Sequence, residues 1–198
     1  IDFNENSNAQ ESRTFIQIKK RFILTTIKSG LMLIDQHRAH FQTLFEELQK
    51  SAQNSKIPSQ TILFPQSVEI DFMQSLILEE ITEELIEIGF DIEKDASNNY
   101  QIKAAPVILP LSAIQDFFET TIENVKHSGE QISSKLKENV LQNLAKLSAV
   151  QTGKELSFEE MCHITDRLFA CQSPNYTNDG RAIIQTITMN EIIERFNT

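Results

Sequence analysis

Short apolar runs near the N-terminus predict three strands that precede the first helix. Phe15–Ile18 and Phe22–Leu24 are short apolar runs typical of strands. Between them lies the basic triplet Lys19-Lys20-Arg21, which we interpret as a solvated turn rather than a binding patch. Ser29-Gly30 then turns the chain into Leu31–Ile34, an apolar run that predicts a third strand.

The segment from Gln36 to Lys50 predicts an amphipathic helix that packs on this sheet. Its apolar residues recur at helical spacing and share one face: Phe41, Leu44, Phe45 and Leu48. On the same pattern, Glu46, Glu47 and Gln49 are expected to point mostly outward.

The middle of the chain predicts a second α+β unit. The polar stretch 52–59 with Pro58 indicates a boundary, and turn-rich residues 95–99 indicate a hairpin. The predicted elements are a strand (61–70), a helix (71–88) capped by Gly89, two hairpin strands (90–93 and 100–103) and a helix (111–125).

The last third of the chain predicts helices and one further strand. Ser157, with Glu160 three residues later, forms a capping box for a helix that runs to about Cys171. The other predicted elements are a helix (130–150), a strand (182–187) and a closing helix (189–196). The fold class is therefore α+β, and a chain of 198 residues fits either one large domain or two small subdomains.

Composition and charge narrow the function classes. A net charge of −10 argues against this chain holding DNA by itself, because non-specific affinity comes from cations that neutralise phosphates. The sequence has no apolar run of membrane-spanning length and no signal peptide at its start, so we expect a cytoplasmic protein without membrane contact.

The two cysteines, Cys162 and Cys171, are too far apart along one predicted helix to form a disulfide bond. Residues 1–14 are polar and typical of a linker tail in a longer protein.

The junction between the third strand and the first helix carries the most specific motif. The run 31–46 resembles the C-terminal domain of MutL-type DNA mismatch repair proteins, in which a strand ends in Asp-Gln-His-Ala and opens a helix that carries two Glu residues. Asp35, Gln36, His37 and Glu46 match that pattern. Arg38 stands in place of the Ala, and Phe41 in place of the first Glu.

This resemblance covers nearly the whole chain and implies a domain organisation. Residues 15–59 and 130–198 would form a subdomain that dimerises, and residues 60–129 an inserted subdomain. The homodimer would tether N-terminal domains that bind ATP, which are absent from this chain. The implied partners are a sliding clamp, a mismatch-recognition protein and, through the full-length assembly, DNA.

Some members of the family nick DNA at a site that holds divalent metal, and here several of its ligands are replaced. Lys146 stands where the second motif has a thiolate, and the third motif aligns with Ser173-Pro174-Asn175 and Gly180-Arg181-Ala182. We therefore expect no catalytic residues, metal or cofactor, with Asp35, His37 and Glu46 as remnants; Asp35 would then cap the helix. The alternative is an endonuclease in which Cys171, His37, Asp35 and Glu46 form a rearranged metal site.

The segment Gln60–Pro65 resembles the short peptide by which MutL-type proteins bind the sliding clamp. In that interpretation Gln60 bonds to one rim of a groove, Leu63 and Phe64 fill apolar pockets, and Pro65 keeps the segment extended. The same residues also fit an ordinary apolar strand of the inserted unit. Both interpretations are open from the sequence.

Overall fold

A computed structural model describes residues 14–54, 57–95, 99–128 and 132–197 of the chain. The predicted tail, the centre of the 95–99 turn and the predicted helix start at Glu130 lie outside these ranges. Helices and antiparallel sheets coexist, so the predicted α+β class is confirmed. The chain divides into two compact units, a first unit (up to Ala39 and from Gln151) and a second unit (His40–Val150).

The first unit is built on an antiparallel sheet. Within the described residues its strand order is β1 (Phe15–Ile18), β2 (Phe22–Ile27), β3 (Gly30–Asp35) and β7 (Ile184–Thr188), with helices α6 (Phe158–Phe169) and α7 (Met189–Phe196). Gly30 begins β3 at φ +150°, where a Cβ would lie 2.1 Å from the carbonyl oxygen of Ile187. Only glycine therefore lets β3 pair with β7 at this point. The predicted capping box between Ser157 and Glu160 is confirmed.

The second unit contains a three-stranded sheet and a large apolar core. Its described strands follow the order β4 (Ser59–Val68), β6 (Tyr100–Pro106), β5 (Asp91–Lys94). The helices are α1 (Gln36–Asn54), which begins in the first unit, α2 (Phe72–Glu80), α3 (Thr82–Glu87), α4 (Ile114–Ser128), entered through a 3-10 turn (Leu111–Ala113), and α5 (Ile132–Ser148). In this core Phe90 stacks on Phe117, and Phe118 makes edge-on contacts with both, with ring centroids 4.9 to 5.6 Å apart.

Two details of the predicted pattern are wrong. The single helix expected over 71–88 is interrupted at Ile81, which ends α2 and precedes α3. Ile81, Leu85 and Ile88 all have no exposed surface, so the interruption accompanies burial of all three side chains.

Glu46, which the sequence pattern predicted to point outward, is buried. It can be buried because the Gln42 side-chain amide donates to it at 3.0 Å and the Lys50 ammonium lies 3.9 Å away.

The predicted subdomain boundaries lie at residues 59 and 130, whereas the compact units of the structure meet after Ala39 and after Val150. The assignment of dimerisation to the outer segments of the chain stays a prediction. None of the described helices is long and apolar enough to cross a membrane.

Candidate functional site

Asp35 lies at the junction where β3 ends and α1 begins. Its Oδ1 accepts the backbone N–H of Arg38 at 3.1 Å, which satisfies one of the free donors at the start of the helix. Its Oδ2 lies 3.8 Å from Nε of Arg21 and 3.7 Å from Nε of Arg38. The predicted capping role is thus present, and two guanidinium groups balance the charge of this buried carboxylate.

Arg38, which departs from the family pattern, makes a second contact. Its Nη1 donates to the carbonyl oxygen of Ala182 at 2.7 Å. Ala182 belongs to the segment that aligns with the third nicking motif. The Arg38 guanidinium therefore connects the first motif to the third by a hydrogen bond. A positive side chain beside Asp35 disfavours a divalent cation at that carboxylate, because like charges repel.

Gln36 is a structural residue that the sequence reasoning missed. It has no exposed surface, and its Nε2 lies 3.0 Å from the carbonyl oxygen of Lys20, 3.3 Å from that of Gln151 and 3.2 Å from that of Lys154. Its Oε1 accepts from Nε2 of Gln17 at 2.7 Å. The signal available in the sequence was a lone amide directly after a buried strand, a position where every polar atom needs a partner.

The other remnants of the motif are dispersed among ordinary contacts. His37 is half-buried, and Phe41 stacks on Phe45 with ring centroids 5.9 Å apart. Nδ1 of His40 accepts the backbone N–H of Val150 at 2.9 Å, so this histidine is satisfied as an acceptor. Phe41 therefore places an aromatic ring on the core side of α1, where a metal site would need a carboxylate.

The residues of the alternative site do not fit a divalent metal. Sγ of Cys171 lies just after α6 and donates to the carbonyl oxygen of Arg167 at 3.5 Å, and Lys146 is exposed. Among the described residues, no group of three or more His, Cys, Asp or Glu side chains is arranged to hold a metal ion. The side chains at these positions therefore do not favour the alternative endonuclease function.

The segment Gln60–Pro65 forms an outward bulge in β4. Thr61 pairs with Ala104, and the next pair is Gln66 with Ile102, so residues 62–65 lie opposite one residue of β6. Ile62 turns into the core, whereas Leu63 is 84% and Phe64 is 80% exposed. The expected strand is present, but it leaves two large apolar side chains in solvent, where an extended binding peptide would need them.

One face of the first unit's sheet is mostly apolar and partly exposed, and we call it the outer sheet face. Strand register places on it the polar residues Thr26, Asp35 and Gln185 and seven apolar residues: Ile16, Ile18, Phe22, Leu24, Leu31, Leu33 and Ile187. The seven apolar side chains all keep some exposed surface, and Ile16 is 54% exposed. The opposite face carries the buried residues Phe15, Ile23, Thr25 and Ile34. There Phe15 packs against Phe158 at the start of α6, with ring centroids 6.0 Å apart.

Comparison with known proteins shows the family of this chain. A family model described as "MutL C terminal dimerisation domain" matches residues 15–156. The chain is 37% identical over 185 residues to the DNA mismatch repair protein MutL of Bacteroides fragilis, covering 91% of the chain and 29% of that protein. It is 36% identical over 184 residues to MutL of Parabacteroides distasonis, with 91% and 29% covered, and 33% identical over 196 residues to MutL of Phocaeicola vulgatus, with 97% and 31% covered. The chain thus spans less than a third of the length of these curated relatives. It belongs to the MutL C-terminal dimerisation domain family.

Proposed function

We propose that this chain is the homodimerising module of a longer MutL-like protein that works in DNA mismatch repair in the cytoplasm. By pairing with a second copy, it tethers N-terminal ATPase domains and raises their effective concentration for each other. Mismatch-recognition proteins and DNA are then partners of the full-length assembly. Membership of the dimerisation-domain family is the observation that carries this proposal.

The outer sheet face is the surface that we assign to the second copy. An antiparallel sheet with one solvated face normally alternates apolar and polar side chains. Here Ile16, Leu24 and Leu33 are direct cross-strand neighbours, and Leu31 pairs with Ile187 on the same face. A symmetric dimer would bury this row of side chains against its own copy, because a twofold contact brings the same patch from both chains together.

Sedimentation equilibrium of the full chain tests the dimer and its surface together. We expect self-association, and we expect Ile16→Asp and Leu24→Asp each to raise the dimer dissociation constant at least about tenfold by burying a charge in the interface. Val107→Asp is the matched control, since Val107 is 54% exposed but lies in the second unit. Circular dichroism checks that each variant is folded.

Two outcomes contradict this assignment. A chain that stays monomeric at high concentration would refute the dimerising role. Dimers that resist Ile16→Asp but dissociate on Val107→Asp would move the interface to the second unit.

The second part of the proposal is that Gln60–Pro65 docks on a bacterial sliding clamp. Leu63 and Phe64 project from a bulge whose flanking residues remain paired with β6, so their exposure costs the sheet no hydrogen bonds on either side. Two adjacent exposed apolar side chains on an extended backbone match a peptide that fills two neighbouring pockets. Core packing does not need them, because Ile62 already fills that role.

Fluorescence anisotropy with a purified bacterial sliding clamp and the labelled full chain tests this docking. Leu63→Ala and Phe64→Ala should each weaken binding at least about tenfold, as expected for anchor residues. Val107→Ala, at a 54% exposed position of the same unit, should leave the affinity unchanged. Equal affinities for all variants would show that the bulge is not the docking segment.

A further inference from the structure

Helix α2 presents an apolar face to solvent in addition to the side it buries. Phe72 is 71% and Met73 is 65% exposed, and Leu76 is also exposed. On the opposite side of the helix Ser75 and Leu78 are buried. A helix that is apolar on both sides is expected to be covered on both sides. The outer side of α2 is therefore a candidate docking surface.

The geometry of α2 presents these side chains as one rigid patch. Phe72, Leu76 and Glu80 follow one another at i, i+4 and i+8, and Met73 lies beside them, so we name these four residues the α2 face. Asp71 and Gln74 form a reciprocal capping box with bonds of 2.8 and 2.7 Å, which fixes the first turn. A fixed patch loses little conformational entropy on binding.

The segment that carries the α2 face has charged residues of one sign. Every charged residue from Glu69 to Gly89 is acidic: Glu69, Asp71, Glu79, Glu80, Glu83, Glu84 and Glu87. Glu79 pairs with Lys94 at 2.6 Å and Glu87 with Lys137 at 2.7 Å, whereas Glu80 and Glu83 are solvent-exposed. A cationic partner would gain from this field, and an anionic one would be repelled.

The same charges argue against occupants from this chain. The N-terminal tail carries Asp2, Glu5 and Glu11 against a single Arg13, so it is itself acidic. A second copy would bring an identical acidic flank against this one in a symmetric contact at the α2 face. Nucleic acid is excluded by the same repulsion. The remaining occupant is a different protein with cations beside apolar side chains.

We propose that the α2 face binds a basic amphipathic segment of a partner protein. Phe72, Met73 and Leu76 would receive the apolar side of that segment, and Glu80 with Glu83 would pair with its Lys or Arg residues. A helix is the form of partner that matches a short row of helical side chains at this spacing. The site uses no residue of Gln60–Pro65 or of the outer sheet face, so it is an additional docking surface.

The test uses the isotope-labelled full chain and two synthetic peptides. One is an amphipathic helix with Leu on one side and Lys and Arg on the other. The second keeps the Leu side and replaces every cation with Glu. We expect the basic peptide to bind and to shift the amide resonances of 72–83, and we expect the acidic peptide not to bind.

Variants then assign the contact. The pair Phe72→Gln with Leu76→Gln should lower the affinity for the basic peptide at least about tenfold. The pair Glu80→Gln with Glu83→Gln should lower it about threefold and reduce its dependence on salt. Val107→Gln and Glu159→Gln are the matched apolar and acidic controls, and both should bind like the wild-type chain.

Other results would overturn the proposal. Equal binding of both peptides, or shifts confined to the outer sheet face, would show that α2 does not select a basic helix. Loss of self-association in Phe72→Gln, measured by sedimentation, would assign the α2 face to a second copy instead. Absence of binding by the basic peptide would refute it directly.

Discussion

Gln36 shows how a buried amide can hold a unit together. Three backbone carbonyls lie within 3.3 Å of its Nε2, and they come from the β1–β2 turn and from the loop after the second unit. Each hydrogen bond of this buried amide contributes about 0.5 to 1.5 kcal/mol. The Asp35-Gln36 pair thus has a structural role that does not depend on metal chemistry.

Replacing Gln36 with Leu is expected to lower the free energy of unfolding by about 1 to 3 kcal/mol, because it removes the hydrogen bonds of a fully buried amide to three backbone carbonyls and to Gln17. The measurement is denaturant unfolding followed by circular dichroism. Gln49→Leu, at a partly exposed position of the same helix, is the control and should change stability by less than about 0.5 kcal/mol. A neutral Gln36→Leu would mean that water replaces the amide.

Among the described residues, the turn between β1 and β2 is where residues other than glycine adopt positive φ. Lys19 and Lys20 adopt φ of 51° and 50°, and the backbone N–H of Arg21 donates to the carbonyl oxygen of Ile18 at 3.1 Å. Positive φ at both central residues matches a type I′ turn, which favours Asn and Gly. Lysine is a costly choice there.

We expect Lys19→Asn to raise the free energy of unfolding by about 0.5 to 1 kcal/mol, because Asn tolerates the left-handed region better than Lys. Thermal unfolding of both proteins measures this change in the free energy of unfolding. Lys28→Asn, in the next turn but without positive φ, is the matched control and should not stabilise the chain. If both changes have the same effect, the gain comes from charge rather than backbone strain.

The turn from Thr177 to Arg181 is expected to depend on pH. The Thr177 hydroxyl donates to the Asp179 carboxylate, and with the Arg181 guanidinium 2.9 Å away it holds the pKa of Asp179 below its ordinary value. A lowered carboxyl pKa stabilises the turn above the ordinary Asp value, and that stabilisation is lost as pH falls through the folded-state pKa. Amide exchange of Gly180 and Arg181, corrected for its intrinsic pH dependence, should therefore accelerate in acid.

Asp179→Asn is the control for this behaviour. It keeps an acceptor for Thr177 but cannot titrate in acid, so the two amides should exchange without the additional acid-dependent step. Persistence of that step in Asp179→Asn would assign it to another group.

The helices and strands were largely predictable from the sequence, whereas the burial of individual side chains on them was not. Periodicity located α6 and the Ser157 box because the signals are local. It could not show that Glu46 is buried, since the compensating Gln42 and Lys50 matter only once α1 packs. It also could not tell that Leu63 and Phe64 are exposed, because a bulge is decided by pairing with β6.

At the scale of the whole molecule, the large apolar core belongs to one unit. Its members run from Leu44 to Ala149, all within the second unit. We expect a fragment of residues 40–150 to fold alone and to unfold cooperatively, because its buried apolar surface is contained in it. Circular dichroism and calorimetry check this. A fragment that lacks a cooperative transition would show that the second unit needs the sheet of the first.

The bond between His40 and Val150 joins the two residues at which the chain enters and leaves the second unit. The first and last residues of the second unit are therefore held next to each other, however many residues lie between them. Over evolutionary time, the intervening chain can lengthen, shorten or acquire new recognition segments while the spacing of the two ends stays fixed. New partners can then be gained in the second unit without requiring compensating changes in the sheet.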